Sequence, residues 1–587
     1  MLILGFNAYH GDVAAALLDD GRLVAALEEE RFARVKHVAG FPGRAMAECL
    51  RMAGATAADV DVFAVARAKR AHGLRKALFA LRHRPGLGLV RQRLGTTSRH
   101  RGLAEAIGDA LDLEPAAAAA RLRHVEHHPA HLASAFYASG FDHAACCAID
   151  GFGDFVSVSV AEGRDTSLDV LDRTYFPHSL GLLYLAITQF LGFEQYGDEY
   201  KVMGLAPYGT PRFVEPLQRL LHLRAGGGFE LALEYFSHWT GNVTMRWEAG
   251  VPAVPIVYTE RVADLLGPPR HPSEPVTARH EDLAASLQVV FEDAVAHVLT
   301  GVHARLPLDR LCLAGGCAMN SVANGKIRAR TRFREVYIQP AAGDNGTALG
   351  AALHVWHETL GRPRGFRMTH GYWGTAFDDE AVAAAISASG AVADGRVRWT
   401  RIDDEAALVS HAAARLAGGC VLGWFQGRME WGARALGNRS ILADPRRADM
   451  REVINQKIKF RERFRPFAPS VLVEALDDFF VGAVPDPFML QVYPVREDRR
   501  AVIPAVTHVD GSGRLQTVSR EQNPRYWALI RAFADRTGVP VLLNTSFNEN
   551  EPIVQRPEEA LDCFLRTDMD VLVMGAHVLE KATLPAA

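Results

Sequence analysis

Short apolar runs separated by glycine-rich polar turns dominate the first part of the chain. Residues 2–6, 13–18 and 23–25 are predicted strands, with a polar loop at 7–12 and a tight turn at Asp20-Gly21. The pattern recurs as an apolar strand that ends at Asp150, a loop at 151–154, a strand at 155–160 and a turn at 162–163. This recurrence indicates a duplicated α/β unit, and two unrelated hairpins are the alternative.

Two more apolar strands lead into glycine-rich loops. The strand at 311–313 precedes the loop 314–320, and the strand at 336–338 precedes the loop 343–346 and an alanine-rich helix at 347–354. A glycine-rich turn between a strand and a helix lets the backbone approach a phosphate and aims N–H groups at an anion. These loops therefore favour a nucleotide-binding cleft.

The pattern changes near a stretch rich in arginine, proline and glycine at 362–365. Beyond it we predict helices at 405–417 and 557–565 and strands at 421–425, 539–543 and 571–574. The sequence thus predicts an α/β protein of two domains, residues 1–364 and residues 365–587.

Charge and composition narrow the class of protein. The chain has 587 residues, is 49% hydrophobic and carries a net charge of −3, so no overall field attracts nucleic acid or an anionic membrane. Residues 67–101 contain eleven lysines and arginines and no acid. A solvated helical insertion is the favoured interpretation of this basic stretch, and a phosphate- or acceptor-binding patch is the alternative.

Cysteine usage and apolar length bear on the compartment. Seven cysteines without a C-x-x-C spacing fit a reducing compartment better than a disulfide framework or a structural zinc site. The longest apolar stretch, at 180–193, is too short to span a bilayer, and the N-terminus lacks the pattern of a signal peptide. We expect a cytoplasmic protein without nucleic-acid or membrane partners, and the sequence makes no prediction of its oligomeric state.

A histidine cluster at 124–131 is the strongest candidate for a metal site. His127 and His131 are four residues apart, so on a helix their side chains share one face and can chelate one ion. Asp150 and Asp344 lie in glycine-flanked loops of the same region, although such an aspartate can also be only a turn former. Neutral imidazole suits iron or zinc, and two further carboxylates would favour iron or manganese.

The C-terminal part carries a different set of polar residues. Arginines lie beside glycine, proline and phenylalanine at 427–440, 455–469 and 510–517, and serine and asparagine occur at 544–548. The planar guanidinium group matches phosphate oxygens with two parallel hydrogen bonds. We interpret this set as an anion site, with ordinary surface charge as the alternative.

Six segments together resemble those of the NodU/CmcH-type O-carbamoyltransferases, nearly from end to end: 28–32, 127–136, 200–209, 434–440, 464–469 and 544–548. The resemblance implies an N-terminal domain with the duplicated actin/sugar-kinase-like (ASKHA) fold and a C-terminal YrdC-like domain. It also implies that ATP, with Mg²⁺, and carbamoyl phosphate give carbamoyl adenylate, from which the carbamoyl group passes to a hydroxyl of a small molecule. Antibiotics and other natural products are the acceptors implied.

The resemblance also assigns individual residues. The implied ligands of Fe²⁺ or a similar divalent metal are His127, His131, Asp150 and Asp344. The implied nucleotide contacts are Lys201, Gly315, Gly316, Asn320 and Asn345. The implied carbamoyl phosphate contacts are Arg434, Lys459, Arg465, Arg514, Ser546 and Asn548. The implied catalytic residues are His10, Asp12, Arg434 and Lys459, and because His10 and Asp12 are not adjacent, either could face the acceptor hydroxyl.

Other classes explain less of the sequence. A nucleotide-dependent kinase of the actin-like fold with an accessory domain accounts for the glycine loops but not for the His/Asp set. A tRNA-threonylcarbamoylation fusion gains no support from the near-neutral charge. A hydrogenase-maturation carbamoylase would carry cysteine-rich zinc modules, which this sequence lacks.

Overall fold

The computed structural model describes residues 1–68, 71–83, 102–240 and 245–584. Within it the chain divides into two units, Met1–Met368 and Thr369–Ala587, and the boundary predicted from sequence lies after residue 364. Of the basic stretch 67–101, the helix Gly73–His83 is described, whereas residues 69–70 and 84–101 lie outside the described residues.

The N-terminal unit contains two five-stranded sheets. The strands of the unit are β1 Leu2–Asn7, β2 Ala14–Asp19, β3 Arg22–Glu28, β4 Val60–Val65, β5 Leu122–His124, β6 His143–Gly153, β7 Val156–Arg164, β8 Ser167–Tyr175, β9 Leu221–Arg224, β10 Gly228–Leu231, β11 Arg246–Glu248, β12 Val251–Ala253, β13 Arg310–Ala314 and β14 Glu335–Ile338. The sheet orders are β3-β2-β1-β4-β5 and β8-β7-β6-β13-β14. In each, the first three strands in sequence form an antiparallel meander, and two later strands add parallel to the first strand of the meander. The shared order and directions confirm the duplicated α/β unit predicted from the loops.

Two helices rich in small residues pack between the two five-stranded sheets of this unit. Helix His127–Ser139 packs on β6 and β13, helix Gly346–His354 packs on β1 and β2, and the two helices contact each other. A side chain at Gly350 would overlap the carbonyl of Ala130, so glycine permits this close approach. The other α-helices of the unit are Glu30–Ala33, Gly43–Met52, Gly73–His83, Leu103–Leu111, Pro115–Arg121, Leu180–Phe190, Glu199–Leu205, Val214–Gln218, Arg261–Leu266, Ala278–Arg305 and Ser321–Arg330.

Helix Ala278–Arg305 is the one helix among the described residues that is long and apolar enough to cross a membrane. Charged residues punctuate its apolar positions, so the longest apolar stretch of the sequence lies elsewhere, at 180–193. In its most apolar stretch of 18 residues, 72% is buried inside the protein, as expected for a core helix. The absence of a membrane partner stays a prediction.

One strand differs from its prediction in a way that affects the site. We expected an apolar strand to end at Asp150 and a loop to follow at 151–154, but β6 continues to Gly153. The ladder with β7 is irregular between Ile149 and Gly153, so the backbone stays extended where the pairing is interrupted. The predicted loop is therefore wrong for residues 151–153, and Asp150 lies within a strand.

The C-terminal unit is built on one mixed sheet. Its strands are β15 Val397–Arg401, β16 Leu422–Phe425, β17 Arg439–Ala443, β18 Ala468–Leu472, β19 Gln491–Pro494, β20 Ser512–Val518, β21 Val541–Ser546, β22 Val571–Met574 and β23 His577–Lys581, in the order β15-β23-β22-β16-β17-β21-β18-β20-β19. The α-helices of this unit are Asp379–Ala388, Glu405–Ala417, Met450–Ile454, Leu476–Phe479, Glu497–Arg500, Pro524–Thr537 and Pro557–Arg566. Its large apolar core includes Trp424, Ile441 and Leu542. The YrdC-like assignment stays a prediction.

Candidate active site

Four side chains from separate elements converge in the N-terminal unit; we call them the metal-donor set. His127 and His131 lie in the first turns of helix His127–Ser139, Asp150 lies on β6, and Asp344 lies in the loop between β14 and helix Gly346–His354. One donor atom from each lies within 4.8 Å of the others. The helix places both imidazoles on one face, as the four-residue spacing predicted.

The distances within the metal-donor set fit a shared ion. The Nε2 atoms of His127 and His131 are 3.0 Å apart. Asp344 Oδ1 lies 3.4 Å from His127 Nε2 and 3.5 Å from His131 Nε2. Asp150 Oδ2 lies 3.5 Å from His127 Nε2 and 3.9 Å from His131 Nε2. Because metal–ligand bonds to imidazole and carboxylate are about 2.0–2.2 Å long, donors at these separations can bind one ion.

The electrostatics of the metal-donor set favour a cation. Burial lowers the pKa of His127, but the charges and hydrogen bonds of Asp344 and Asp150 raise it to about 10. Burial and Asp344 would raise the pKa of Asp150, yet His127 and His131 lower it to about 2. The two carboxylates thus stay charged and hold positive charge between them. A divalent cation can take the place of the proton on His127, so the donors present fit a metal.

Glycines let the backbone close around Asp150. Gly316 N–H donates to Asp150 Oδ1 at 2.8 Å, and Gly315 has φ of 91°, where a side chain would overlap the carbonyl of Ile149. A side chain at Gly153 would overlap the ring of His127. The glycine loop after β13 therefore orients a candidate metal ligand, in addition to any contact it makes with a nucleotide.

His10 and Asp12 have different partners. His10 Nδ1 lies 3.0 Å from Asp344 Oδ2 and 2.8 Å from the carbonyl of Gly11. Asp12 Oδ1 instead lies 2.7 Å from His37 Nδ1. The structure thus brings His10 to the metal-donor set, whereas the described contact of the Asp12 carboxylate is with His37.

The other predicted nucleotide residues make contacts within the protein. Asn320 accepts from Ala323 N–H at 3.0 Å and caps helix Ser321–Arg330. Asn345 donates to Glu28 Oε1 at 3.1 Å and caps helix Gly346–His354. Lys201 Nζ lies 2.9 Å from Asp198 Oδ1. Their roles in nucleotide binding stay predictions.

Three predicted residues meet in the C-terminal unit. Lys459 is 1% exposed, and its Nζ donates to the Ser546 carbonyl at 2.6 Å and to the carbonyl and Oδ1 of Asn548 at 2.7 Å. Ser546 Oγ donates to Asn548 Oδ1 at 2.7 Å. Ser546 is the last residue of β21 and Asn548 follows it, so the end of this strand lies beside the buried ammonium group of Lys459.

Four arginines influence one another in the same unit; we call Arg434, Arg461, Arg465 and Arg514 the arginine cluster. Burial and the charges of the other three arginines lower the pKa of Arg514 well below its usual value. Burial also lowers the pKa of Arg434 to about 10, which Asp486 partly opposes. The Nε atoms of Arg434 and Arg514 are buried without a hydrogen-bond partner in the described part of the chain. Buried, unpaired guanidinium N–H groups under mutual repulsion suit an anionic ligand.

Three residues were not identified from the sequence: two at the arginine cluster and one that contacts Asp12. Arg461 lies inside the predicted segment 455–469 but was not singled out. Asp486 is buried and accepts from Phe488 and Leu490 N–H at 3.0 and 2.7 Å, and no pattern in its local sequence marks it. His37 follows the motif 28–32 closely, but only the fold shows its contact with Asp12.

Comparisons with known proteins identify the family of the chain. The family model described as Carbamoyltransferase N-terminus matches residues 2–353, and the model described as Carbamoyltransferase C-terminus matches residues 413–581. The nodulation protein NolNO of Sinorhizobium fredii (strain NBRC 101917 / NGR234) is 42% identical, over 98% of this chain and 80% of that protein. The 3'-hydroxymethylcephem-O-carbamoyltransferase of Amycolatopsis lactamdurans is 38% identical, over 45% of this chain and 47% of that protein.

Among solved structures, component A of the (R)-2-hydroxyglutaryl-CoA dehydratase of Acidaminococcus fermentans is similar at a TM-score of 0.33 and 15% identity, over 60% of this chain and 97% of that chain. That score is too low to assign a shared fold. The family models, by contrast, cover most of both units, and NolNO matches 98% of this chain. The chain therefore belongs to the carbamoyltransferase family, with both the N-terminal and the C-terminal parts of that family.

Proposed function

We propose that this carbamoyltransferase is an ATP-dependent O-carbamoyltransferase. Carbamoyl phosphate and ATP would give carbamoyl adenylate and pyrophosphate, and an acceptor hydroxyl would then take the carbamoyl group and release AMP. The observation that carries the proposal is the presence, in one chain of this family, of a largely buried two-His two-Asp set and a separate, partly buried cluster of arginines. The C-terminal unit would be the YrdC-like adenylating domain, and the N-terminal unit the actin-like transfer domain.

The arginine cluster supports the first step. A phosphate dianion would pair with the unpartnered Nε–H groups of Arg434 and Arg514 and reduce the repulsion among the four cations. Each close opposite charge contributes on the order of a few kcal/mol at an effective dielectric constant of about 20. Lys459, Ser546 and Asn548 already form a hydrogen-bonded group that could hold the carbamoyl end.

The metal-donor set supports the second step. A divalent metal held by His127, His131, Asp150 and Asp344 would polarise an oxygen ligand and offset the negative charge of the departing AMP. The repeated strand order of the two sheets supports the actin/sugar-kinase-like assignment of this unit and, with it, ATP as the nucleotide. Fe²⁺ is the metal we propose, and Mg²⁺ would accompany ATP.

His10 supplies the group that removes the hydroxyl proton. Its Nδ1 faces Asp344 Oδ2 and the carbonyl of Gly11, both acceptors, so Nδ1 carries the proton in the neutral ring. Nε2 is then the nitrogen with the lone pair, and it can accept the proton of an acceptor hydroxyl. Because Asp344 is a member of the metal-donor set, its contact with His10 places this base beside the proposed metal.

The acceptor we propose is a hydroxyl of a small molecule. The relative from Amycolatopsis lactamdurans acts, by its name, on a hydroxymethyl cephem, and NolNO is a nodulation protein. A hydroxymethyl cephem is a natural product, and we propose a natural-product hydroxyl as the acceptor of this chain as well.

The test incubates the purified full-length protein with ATP, Mg²⁺ and carbamoyl phosphate, with and without hydroxylated metabolites. We expect pyrophosphate release that depends on carbamoyl phosphate, and a product heavier by one carbamoyl group. Release of ADP with a phosphorylated acceptor would instead support an actin-fold kinase, and no nucleotide turnover with carbamoyl phosphate would refute the adenylation step.

A further inference from the structure

The first loop (residues 8–13) carries His10, and its conformation is held by a second segment, residues 34–40. Strands β1 and β2 pair Asn7 with Ala14, so the first loop connects them directly. Asn7 fixes its end, because its Nδ2 donates to the Asp12 carbonyl at 2.9 Å and its Oδ1 accepts from Ala14 N–H at 2.7 Å. The middle of the loop, where His10 lies, depends on other contacts.

Segment 34–40 supplies those contacts through the backbone. Tyr9 N–H donates to the Gly40 carbonyl at 2.6 Å, and Asp12 N–H donates to the His37 carbonyl at 3.3 Å. Val13 N–H donates to the Val38 carbonyl, also at 3.3 Å. The segment thus runs beside the loop on both sides of His10.

The side chains of Asp12 and His37 add a further contact between the first loop and segment 34–40. His37 Nδ1 lies 2.7 Å from Asp12 Oδ1, and both residues have positive φ, 57° for Asp12 and 54° for His37. A non-glycine residue in this left-handed region costs on the order of 1 kcal/mol, so the conformation persists only because surrounding contacts maintain it. Two such residues facing each other make the pair a specific constraint on the loop.

Further groups fix His37 itself. Its backbone N–H donates to Glu30 Oε2 at 2.8 Å, and the other Glu30 oxygen lies 2.6 Å from Arg31 Nη1. The ring of Tyr196 packs edge-on against the His37 ring at 5.6 Å. A side chain at Gly11 would lie 2.7 Å from the Tyr196 ring, so the loop has no room to move toward that ring.

We propose that His37 is a positioning residue, which through Asp12 holds the first loop so that His10 faces Asp344. This inference rests on the proposed function for its catalytic meaning, whereas the contact it describes can be tested without activity. His37 itself does not touch the metal-donor set in the described contacts. Its loss should therefore free His10 and leave the metal ligands in place.

The test compares three full-length variants with the parent protein. His37→Ala removes the contact to Asp12. His37→Asn keeps a nitrogen at the position of Nδ1, and asparagine tolerates positive φ. His143→Ala is the matched control, because His143 makes the same kind of contact with Glu162 at 2.8 Å and is 36% exposed, against 33% for His37.

The first measurement is the rate at which diethyl pyrocarbonate modifies His10, mapped by peptide mass spectrometry because the chain has 23 histidines. His10 is 17% exposed, so we expect severalfold faster modification in His37→Ala and the parental rate in His37→Asn and His143→Ala. Metal content, measured after loading with one equivalent of Co²⁺, should be equal in all four proteins, because the four residues of the metal-donor set are unchanged. Parental modification in His37→Ala, or an Asn variant that behaves like the Ala variant, would overturn the proposal.

The second measurement separates this inference from the proposed function. Pyrophosphate release with carbamoyl phosphate should be equal in all four proteins, whereas AMP release, with water as the stand-in acceptor, should fall about 10²-fold in His37→Ala and recover in His37→Asn. If the parent releases no pyrophosphate, the proposed function fails while the modification experiment still decides the role of His37. Equal AMP release in His37→Ala and the parent would overturn the positioning role.

Discussion

At the scale of single residues, the metal-donor set brings two imidazoles and two carboxylates together, so its stability depends on positive charge among them. His131 is 0% exposed and His127 is 4% exposed, and both lie against two carboxylates that remain charged. Such a group is stable only while positive charge balances the carboxylates, whether on an imidazole or on a metal. Metal binding should therefore release a proton and depend on the complete set of ligands.

The paired change His127→Ala/His131→Ala should reduce metal affinity by at least about 10²-fold, because it removes half of one coordination set. Elemental analysis of the purified protein measures this loss. His128→Gln is the control, because His128 lies between the two ligands but hydrogen-bonds with the Val156 carbonyl at 3.0 Å. Full metal content in the double variant would remove the site.

The contact of His37 with Asp12 should make stability depend on pH. Burial lowers the pKa of His37, but the charges of Asp12, Glu30 and Glu199 and the hydrogen bond to Asp12 raise it to about 9. Because this folded-state value lies above the unfolded value of about 6.5, the stabilisation is fully present below about pH 6.5 and is lost as pH rises through about 9. Allowing for solvent screening of this partly exposed pair, the loss is about 1 kcal/mol.

Urea unfolding from pH 6 to pH 9.5 measures that loss. The slope of the unfolding free energy against pH should be smaller in His37→Asn, whose amide does not titrate. An identical slope in the parent protein and in His37→Asn would show that His37 is not the titrating group.

At the scale of elements, close packing through small residues sets the position of the metal-donor set. Helix His127–Ser139 carries two donors, and helix Gly346–His354 directly follows the loop that carries a third. Their contact at Gly350 and Ala130 leaves no space for a side chain. A change at this contact should move the donors together with the helices.

Gly350→Ala should lower the unfolding free energy by about 1–3 kcal/mol, as overpacking in a close-packed core does. It should also weaken metal binding, although no ligand changes. Denaturant unfolding and a metal titration measure the two effects. Gly365→Ala, at a position with open space around it and no positive φ, should change either quantity little.

The elements themselves were predictable to different degrees. Helix Glu405–Ala417 and strand β22 have the predicted bounds, because amphipathic period and flanking turns mark them clearly. The extension of β6 past Asp150 was not predictable, because Gly151 and Gly153 suggest a turn when the neighbouring strand is unknown. The His127/His131 pair follows from local spacing, whereas Asp486 and His37 gain their places only through long-range packing.

At the scale of the whole molecule, the family assignment and the two sets of residues imply that the chemistries can be separated. The arginine cluster lies wholly after residue 433, and the metal-donor set lies wholly before residue 345. A substitution in one set changes no residue of the other. The proposed reaction therefore predicts complementary losses.

Arg434→Ala should reduce pyrophosphate release by about 10²-fold or more and retain full metal content. Asp344→Asn should do the reverse: pyrophosphate release continues and carbamoyl transfer falls. Circular dichroism confirms that each variant is folded, and preformed carbamoyl adenylate should restore transfer in Arg434→Ala. Equal loss of both half-reactions in both folded variants would indicate a single composite site.

The mutual repulsion within the arginine cluster also has a consequence for how the protein responds to its surroundings. An anion that binds only the folded state stabilises it by mass action, in proportion to the logarithm of its concentration. The melting temperature of this protein should therefore rise with carbamoyl phosphate, and to a smaller extent with inorganic phosphate, at constant ionic strength. The same ions should leave the melting temperature of an Arg434→Ala/Arg514→Ala variant unchanged. Thermal denaturation would then measure binding of carbamoyl phosphate to the arginine cluster without any acceptor.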